Sequence, residues 1–554
     1  MAGRGPWRVI DLFAGPGGLA EGFAAVRAAD DGRPFRICLS IEKEAFAHRT
    51  LRFRAFLRQF ADGFPPRYYD FLNGRIDEPD WAAEFPGQWA AAEAEAFHHE
   101  LGGDGVDAAL DARLAGFVDG DGSDVIVIGG PPCQAYSVVG RNRNRAVKDY
   151  VPGKDARHFL YEQYIAILER VRPAAFVMEN VKGMLSASVD GRAIFAQVMA
   201  DLRAIGGEDG IYQLMALELD DAGVPRLFAT LKPRDFLIRA EDFGVPQARH
   251  RVIVVGVRRD LTRPAEMPTK NGLGAAATVP EPAVARHVLA GLPALRSGLS
   301  RADTVETWAE AFDAAVSSVF SAVAGNPGLA GVEERLSELA AAAAAGDRPS
   351  SRSSTALAPF ASDCPAPLRD WISDSALERI TLHASRGHMQ ADLARYLFAA
   401  AFAADCGRSP VSREFPKALA PSHRNWDTGN FADRFRVQVW ESPSTTVTSH
   451  ISRDGHYFIH PDPLQCRALT VREAARLQTF PDNYLFFGNR TQQYVQVGNA
   501  VPPFLAREIG MALHRLLVAG FEVGDERDDA EVERGEVWEG KLPLAAEVAV
   551  TQPV

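Results

Sequence analysis

The stretch VIDLFAGPGGLAEGF, residues 9–23, passes from an apolar strand through a glycine-rich turn into a helix. The strand ends at Leu12, and Gly15, Gly17 and Gly18 predict a tight turn whose backbone can approach a ligand closely. The first N–H groups of the following helix would point toward such a ligand. The stretch therefore predicts a strand–turn–helix unit with a binding site at the strand's carboxyl end, although an ordinary connecting turn is the alternative.

The same alternation of strand and helix continues to about residue 258. Helical periodicity marks LAEGFAAVRAA, EAFAHRTLRFRAFLRQF and FLYEQYIAILERV between apolar strands. This series predicts an α/β fold with a doubly wound, mostly parallel sheet of the Rossmann type and helices on both faces. Ligands of such sheets bind beyond the carboxyl ends of the strands, so functional residues should follow the strands directly. The predicted strands are WRVIDLF, FRICLSIE, DVIVIGG, AAFVMENV and RVIVVGV.

The chain of 554 residues is too long for one ordinary core, and its pattern changes twice. Beyond residue 258 the alternation gives way to Pro- and Gly-rich turns, an alanine-rich helix and the linker DRPSSRSSTALAP, and it returns near residue 441. We therefore predict an amino-terminal catalytic part over 1–258, a second, smaller domain over 259–440, a part completing the catalytic domain over 441–515, and an acidic flexible tail over 516–554.

Composition narrows the class of protein. No run reaches the roughly 18 apolar residues of a membrane span, and the amino terminus lacks the layout of a signal peptide. The 5 cysteines are scattered without a CxxC pair, so we expect no metal site, no disulfide framework and a cytoplasmic setting. The net charge of −12 argues against a simple polyanion binder, but Arg-rich segments such as GRNRNRAVKDY leave local nucleic-acid binding open.

Glu42 ends the second predicted strand and is the first candidate ligand-binding side chain. An acid at this place holds ribose hydroxyls in dinucleotide-binding folds. The glycines of the preceding turn are not spaced as G-x-G-x-x-G, which favours a carboxylate-bearing nucleoside such as S-adenosylmethionine over a pyrophosphate cofactor. A solvated acid beside a plain turn is the competing interpretation.

Cys133 follows a rigid diproline turn in DVIVIGGPPCQAYSVVG, residues 124–140. A buried cysteine is often a small apolar filler. The fixed backbone, the strand-end position and the Arg-rich segment that follows favour a nucleophile, because a positive setting lowers the pKa of a thiol from about 8.5. Amino-group methylases of the same fold carry Asp or Asn before Pro-Pro-Tyr here, so Gly before Pro131 and Cys after Pro132 predict covalent chemistry.

Polar residues also border two later strands. Glu179 ends an apolar strand, where partial desolvation would favour its protonated form and suit it to donate a proton. In FGVPQARHRVIVVGV, alternation puts Arg249 and Arg251 on one face, where two guanidiniums could orient a carbonyl oxygen and phosphates. A capped structural glutamate and a surface salt-bridge pair are the alternatives. RALTVREAARLQTFPD predicts a structural helix opened by a capping box of Thr470 and Glu473.

Taken in order, these segments resemble the C5-cytosine DNA methyltransferases of bacterial type. The resemblance rests on DLFAGPGG, Glu42, GGPPCQAYS, MENV, QARHR, RALTVREAARLQTFPD and QVGNAVPP, and it covers residues 7–258 and 441–510. It implies a methyltransferase domain dependent on S-adenosylmethionine and a target recognition domain in the interval 259–440. The chain departs from the family where Lys43 replaces a frequent aromatic residue and where the insert 75–122 is longer than usual.

The resemblance also implies a role for each candidate residue. Cys133 would attack C6 of a cytosine flipped out of duplex DNA, Glu179 would hold and protonate N3, and Arg249 and Arg251 would lie near the base carbonyl and the cysteine loop. Phe13 would pack on the adenine of S-adenosylmethionine, and Asp70 would contact the adenine amine. The residues that would line this cofactor pocket are Phe13, Gly15, Gly17, Glu42, Asp70, Pro132, Leu160, Asn499 and Val501.

The expected partner is double-stranded DNA, methylated by a monomer in a restriction-modification or phage-defence context, beside a cognate restriction endonuclease or other defence components. A tRNA methylase uses the same motifs but has a short recognition segment, and a non-enzymatic binder would not need every chemical position filled. The base-reading residues stay open. The candidates are loop arginines of the middle segment, Arg296, Arg301, Arg386 and Arg424.

Overall fold

The computed structural model describes residues 5–103, 106–118, 120–132, 160–189, 192–261, 282–357, 359–421, 426 and 433–522. The predicted nucleophile Cys133, the Arg-rich segment after it and Arg424 lie outside these residues. The strands of the central sheet are β1 (Trp7–Leu12), β2 (Phe35–Glu42), β3 (Ala96–His98), β4 (Val125–Gly129), β5 (Ala175–Val181), β6 (Tyr212–Leu219), β7 (Pro225–Ala229), β8 (Leu237–Arg239) and β9 (His250–Arg258).

The central sheet is mixed, and its strands lie in the order β3-β2-β1-β4-β5-β9-β6-β7, with β8 paired to β9. Strands β1 to β5 pair in parallel, whereas β9 runs antiparallel to both β5 and β6. The amino-terminal start of β9 therefore lies at the same edge of the sheet as the carboxyl end of β5. The predicted doubly wound, mostly parallel sheet is confirmed, and β6, β7 and β8 add strands that the sequence pattern did not reveal.

The insert between residues 75 and 122 contributes directly to this sheet. Its short strand β3 pairs with β2 in parallel, with His98 opposite Glu42. The helices around it lie over residues Trp81–Glu84, Pro86–Glu95 and Val106–Leu114. The insert, for which the sequence suggested no role, therefore supplies the strand that covers the outer edge of β2.

Helices cover both faces of the sheet, and the alternation of β1 decides which residues each layer buries. Val9 packs against Phe23 and the carboxyl-terminal helix, while Ile10 and Leu12 pack against the helix Leu160–Val171 on the opposite face. The other helices of the catalytic part are Gly18–Ala24, Ala45–Arg58, Pro66–Leu72, Ile194–Ala204, Val471–Leu477, Arg490–Asn499 and Pro503–Glu522. The last of these runs past the domain boundary predicted at residue 516.

The middle segment has a largely helical core of its own. Its longest helices are Val305–Val323, Ala330–Ala345 and Gln390–Cys406, and shorter ones span Ala285–Leu289 and Ala366–Ile372. Buried residues such as Trp308, Leu336 and Phe398 pack in one cluster that continues to Cys466. Within the described residues, none of the helices is long and apolar enough to cross a membrane.

Candidate active site

The glycine turn after β1 is built from unusual backbone conformations. Phe13, Gly15 and Gly17 have φ angles of 57°, 59° and 97°, in the left-handed region that glycine tolerates and other residues rarely adopt. Phe13 is partly buried against the core under the sheet, on the side of β4 and β5. The turn thus keeps its backbone open toward the carboxyl edge of the sheet, where the sequence predicted a ligand.

Glu42 closes the other side of this turn from the end of β2. One of its carboxylate oxygens accepts a hydrogen bond from the N–H of Gly15 at 2.8 Å, and the other accepts from the N–H of Glu44 at 2.7 Å. Burial raises the pKa of Glu42, and these backbone donors partly offset that effect. Each oxygen keeps a lone pair for a further donor. Glu42 and the open turn therefore offer acceptors and backbone donors that would fit the ribose and methionine parts of S-adenosylmethionine.

Lys43 occupies the position where the family often has an aromatic residue. Its Nζ lies 2.8 Å from Oε1 of Glu100, and its carbonyl oxygen lies 2.9 Å from Nε2 of His98. The His98 ring stacks on His48, with 4.7 Å between ring centroids. Polar groups from the end of β3 therefore surround this corner, which the sequence analysis did not predict because β3 has only three residues.

The segment QVGNAVPP, residues 496–503, packs against the glycine turn after β1. A Cβ added at Gly18 would come within 2.3 Å of the Val501 carbonyl oxygen, and one at Gly22 within 2.4 Å of the Ala506 Cβ. Val501 is buried, whereas Asn499, the last residue of its helix, is exposed. The structure therefore brings the predicted pocket residues Gly15, Gly17, Val501 and Glu42 into one neighbourhood.

The ends of β4 and β5 form the second half of the site. A Cβ added at Gly130 would come within 2.9 Å of Oε2 of Glu179, so a side chain there would displace this carboxylate. Nδ2 of Asn180 reaches the Pro131 carbonyl oxygen at 3.4 Å. Nε of Arg251 lies 2.8 Å from Oε1 of Glu179, and both side chains are about nine-tenths buried. Glu179 and Arg251 are thus brought together beside Gly130, which precedes Cys133 by three residues in the sequence.

Arg249 makes its hydrogen bonds outside this pair. It is buried and donates hydrogen bonds of 2.8 Å to the carbonyl oxygens of Val447 and Ala500. Burial lowers the pKa of the Arg249 guanidinium, the charge of Arg251 lowers it further, and Glu179 opposes both effects. In this structure Arg249 joins two carboxyl-terminal segments to the sheet, which is a scaffolding contact.

Three other predicted residues lie at different places. Asp70 lies in the helix Pro66–Leu72 and pairs with Arg75 at 3.0 Å, so it is not at the carboxyl end of a sheet strand. Leu160 begins its helix and is half-buried, as is Pro132 at the end of the described Gly130–Pro132 turn. The strand that ends beside Glu42 is β3. Its only signal in the sequence is the apolar pair Ala96 and Phe97, which precedes His98 and His99.

The loop arginines of the middle segment differ in their exposure. Arg296 is buried and pairs with Asp303 at 2.6 Å, and buried Arg386 donates to the carbonyl oxygens of Ile451 and Arg453. These contacts lie inside the protein, so the side chains of Arg296 and Arg386 do not project from its surface in this structure. Arg301 is exposed. Within the described part of the chain, no group of three or more His, Cys, Asp or Glu side chains could hold a metal ion.

The class that these features define is an α/β methyltransferase, with a glycine-rich turn after β1 and the Glu179–Arg251 pair where β5 ends and β9 begins. The model for C-5 cytosine-specific DNA methylase matches residues 117–288 and 384–515. Type II methyltransferase M.Bpa9945I of Bacillus paralicheniformis is 33% identical over 528 residues, covering 91% of this chain and 98% of its own. The chain belongs to the C-5 cytosine-specific DNA methylase family, which confirms the predicted DNA cytosine-5 methyltransferase.

The comparisons also include a second relative and a solved structure. Type II methyltransferase M.AgeI of Thalassovita gelatinovora is 29% identical over 407 residues, covering 69% of this chain and 81% of its own. A solved E. coli prophage protein described as a DNA modification methyltransferase has 17% identity and a TM-score of 0.49, covering 92% of this chain and 99% of its own. The interval between the two segments of the family match, residues 289–383, lies inside the predicted recognition domain.

Proposed function

We propose that this protein methylates C5 of a cytosine flipped out of double-stranded DNA, with Cys133 as the nucleophile and S-adenosylmethionine as methyl donor. The observation that carries the proposal is the Glu179–Arg251 pair facing Gly130, three residues before Cys133 and at the same sheet edge as the Glu42 turn. Covalent methylation of a pyrimidine requires an acid, a nucleophile and a bound methyl donor. The structure places the acid Glu179 and the Glu42 turn at one edge of the sheet, and Cys133 follows the described turn by one residue in the sequence.

The reaction balances with these groups. The Cys133 thiolate bonds to C6, N3 takes a proton from Glu179, and the ring electrons shift to C5. S-adenosylmethionine supplies the methyl group, which bonds to C5 as its bond to sulfur breaks. A base removes the C5 proton, the ring double bond re-forms, Cys133 leaves as thiolate and N3 returns its proton. Flipping the cytosine out of the stack costs a few kcal/mol.

The pairing of Glu179 with Arg251 suits this cycle. A guanidinium has only donors, so Arg251 can orient one carboxylate oxygen and leave the other facing Gly130 and the base. The Nε–Oε1 contact is close but not aligned as a hydrogen bond, so the attraction between the two charges is what joins the pair. We assign Arg251 the task of holding Glu179 in place, and Arg249 the task of holding the Val447 and Ala500 backbone beside it.

The middle segment is proposed to recognise DNA. The catalytic part occupies residues 1–258 and 441–515, and the segment 259–440 has its own helical core. The relatives M.Bpa9945I and M.AgeI are type II methyltransferases, which supports a restriction-modification context for this protein. We place the protein in the cytoplasm, acting as a monomer, with Leu160, Pro132 and Asn499 completing the pocket of Phe13, Gly15, Gly17, Glu42 and Val501. Asp70 is left out of this pocket, because it lies in the helix Pro66–Leu72 and pairs with Arg75.

A labelling experiment tests the proposed activity. The full-length protein is incubated with methyl-labelled S-adenosylmethionine and either duplex DNA or tRNA, and we expect label only in the DNA. Cys133→Ser should abolish the label, whereas Cys406→Ser, which alters an exposed thiol, should leave it unchanged. Label in the tRNA alone would favour the RNA-methylating alternative, and label in neither would favour a binding protein.

A trapping experiment tests the covalent step. A duplex in which 5-fluorocytosine replaces cytosine cannot lose a proton from C5, so the protein–DNA bond should persist and shift the protein on a denaturing gel. Cys133→Ser should give no shifted band. Wild-type protein that methylates ordinary DNA but forms no adduct would overturn the proposed mechanism. Bisulfite sequencing of host DNA carrying the gene then identifies the methylated sequence.

A further inference from the structure

Tyr484 lies against the cofactor turn although it comes from the other end of the chain. Its Oη donates a hydrogen bond of 2.5 Å to the Pro16 carbonyl oxygen, across 468 positions of sequence. The same Oη would lie 3.3 Å from a Cβ added at Gly17. Tyr484 is fully buried. The turn after β1 therefore rests on a side chain that nothing in residues 9–23 specifies.

Tyr484 is itself held firmly. Nη2 of Arg472 donates to the Tyr484 carbonyl oxygen at 3.0 Å, and the Arg54 guanidinium lies 4.6 Å from the centre of the Tyr484 ring. Phe480 and Phe486 pack on the ring with centroid distances of 4.7 and 5.2 Å. Tyr484 is therefore held by a hydrogen bond to its backbone, by two aromatic neighbours and by a guanidinium over its ring. A side chain held in this way can set the position of the atom that it contacts.

The neighbours of Tyr484 anchor it to the middle segment. Nδ2 of Asn483 donates to Oδ2 of Asp374 at 2.6 Å, and the N–H of Asp482 donates to the Ile372 carbonyl oxygen at 2.8 Å. Asn483 also accepts from Nη1 of Arg54 at 3.1 Å. The segment that carries Tyr484 is therefore fastened to the middle segment on one side and to the cofactor turn on the other.

The turn needs such an outside support. Phe13, Gly15 and Gly17 all have left-handed backbone angles, and a non-glycine residue in that region persists only when its surroundings hold it there. We infer that Tyr484 is a positioning residue for the S-adenosylmethionine site, because its hydrogen bond to Pro16 fixes the turn that the cofactor contacts. This inference rests on the proposed cofactor site.

The chain offers a matched control for this contact. Tyr494 is also fully buried, and its Oη donates to a backbone carbonyl, that of Leu469, at 2.6 Å. Tyr484→Phe and Tyr494→Phe therefore remove the same hydroxyl from equally buried rings, and they should lower the unfolding temperature by similar amounts. Only the first change removes a contact to the cofactor turn.

Calorimetric titration of the full-length protein with S-adenosylmethionine tests the inference. Loss of one buried hydrogen bond predicts a Kd about three- to tenfold higher for Tyr484→Phe, and an unchanged Kd for Tyr494→Phe. In steady-state assays the KM for S-adenosylmethionine should rise in Tyr484→Phe, while kcat at saturating cofactor and the KM for DNA stay as in wild type. Hydrogen exchange without cofactor should be faster over residues 13–18 in Tyr484→Phe alone.

The outcomes separate this inference from the function on which it depends. A wild-type protein that binds no S-adenosylmethionine would overturn the proposed function. If the wild type binds, equal affinities in wild type and Tyr484→Phe would overturn the positioning role. Equal weakening in both phenylalanine variants would also overturn it, since that result describes a general loss of stability. Should Tyr484→Phe be too unstable to titrate, unchanged hydrogen exchange over residues 13–18 in its folded fraction would contradict the inference.

Discussion

The central sheet and the joint around the helix Val471–Leu477 are buried to the same degree but are built from opposite chemistry. The sheet buries apolar side chains such as Ile128 and Val254. The joint buries three arginines, Arg467, Arg472 and Arg476, each no more than 1% exposed. The sheet is therefore held by the removal of apolar surface from water, whereas the buried charges of the joint depend on ion pairs and on hydrogen bonds to neutral oxygens.

Each arginine of the joint has a full set of partners. Arg467 pairs with Glu473 through two contacts of 2.6 Å, and Arg476 pairs with Asp482 at 2.9 and 2.6 Å. Arg472 donates to Thr381 and to the carbonyl oxygens of Pro481 and Tyr484. An apolar core tolerates changes that conserve volume, whereas a buried ion pair fails when one partner is lost. We infer that the joint, more than the sheet, fixes how the middle segment packs against the segment that follows it.

The largest expected effect is on the buried pair Arg467–Glu473. Arg467→Met keeps much of the volume but leaves Glu473 buried without its partner, so the free energy of unfolding should fall by about 3–5 kcal/mol. Chemical denaturation measures it. The control is Arg408→Met, which breaks the exposed pair with Glu414 and should leave the denaturation midpoint nearly unchanged. Equal effects at both sites would contradict the contrast between joint and surface.

The next effect concerns Asp11, where a carboxyl group lies inside the sheet. Neither of its oxygens has a well-formed hydrogen bond within the described structure, although the Ala20 N–H and Arg58 favour its charge. Burial dominates and raises the pKa of Asp11 from 3.8 to about 8. The folded protein therefore keeps a proton that the unfolded chain releases, and stability should fall as the pH rises between these values.

The test of Asp11 is the pH dependence of unfolding. Asp11→Asn keeps the shape without the ionisation, so it should remove a slope of at most about 1.4 kcal/mol per pH unit. Denaturation of both proteins near pH 5 and near pH 8 measures the difference, and wild type should lose more stability than the variant on going to the higher pH. Parallel pH profiles in the two proteins would show that Asp11 does not carry this dependence.

The smallest expected effect compares two helix caps. Thr470 caps the helix of the joint. Its Oγ1 accepts a hydrogen bond from the Glu473 N–H at 3.2 Å, and the Glu473 carboxylate accepts one from the Thr470 N–H at 2.6 Å. Asn489 caps the helix Arg490–Asn499 by the same scheme at an exposed position. Thr470→Ala should cost about 1–2 kcal/mol and Asn489→Ala about 0.5–1 kcal/mol. Thermal unfolding that ranks the two in the opposite order would weaken the comparison.

The parts of the fold that follow from local pattern were predictable from the sequence. Strands β1, β2, β4, β5 and β9 are apolar runs next to turn residues, and the capping box of Thr470 and Glu473 is confirmed. The turn after β1 and the acid that ends β2 were also visible in the sequence, because the glycines and Glu42 each lie directly at the end of an apolar strand.

The rest depends on contacts across long stretches of chain. Strand β3 has three residues, too few for a periodicity, and only its pairing with β2 makes it a strand. The sequence does not reveal that Arg249 and Arg386 are buried, because their carbonyl partners at Val447, Ala500 and Ile451 are distant in the chain. Tyr484 carries no local sign of its contact with Pro16. Residue type could not reveal these roles, since the same side chain serves at a surface or in a core.

The close approach of Gly18 to the Val501 carbonyl has a consequence for biosynthesis. At about 5–20 residues per second, roughly 25 to 100 seconds separate the ribosomal exit of the first glycine turn from that of the segment that covers it. During this interval the nascent chain has the glycine turn after β1 but not the Val501 segment that packs against it. We therefore expect a polypeptide that terminates before Val501 to lack part of the proposed site for the methyl donor.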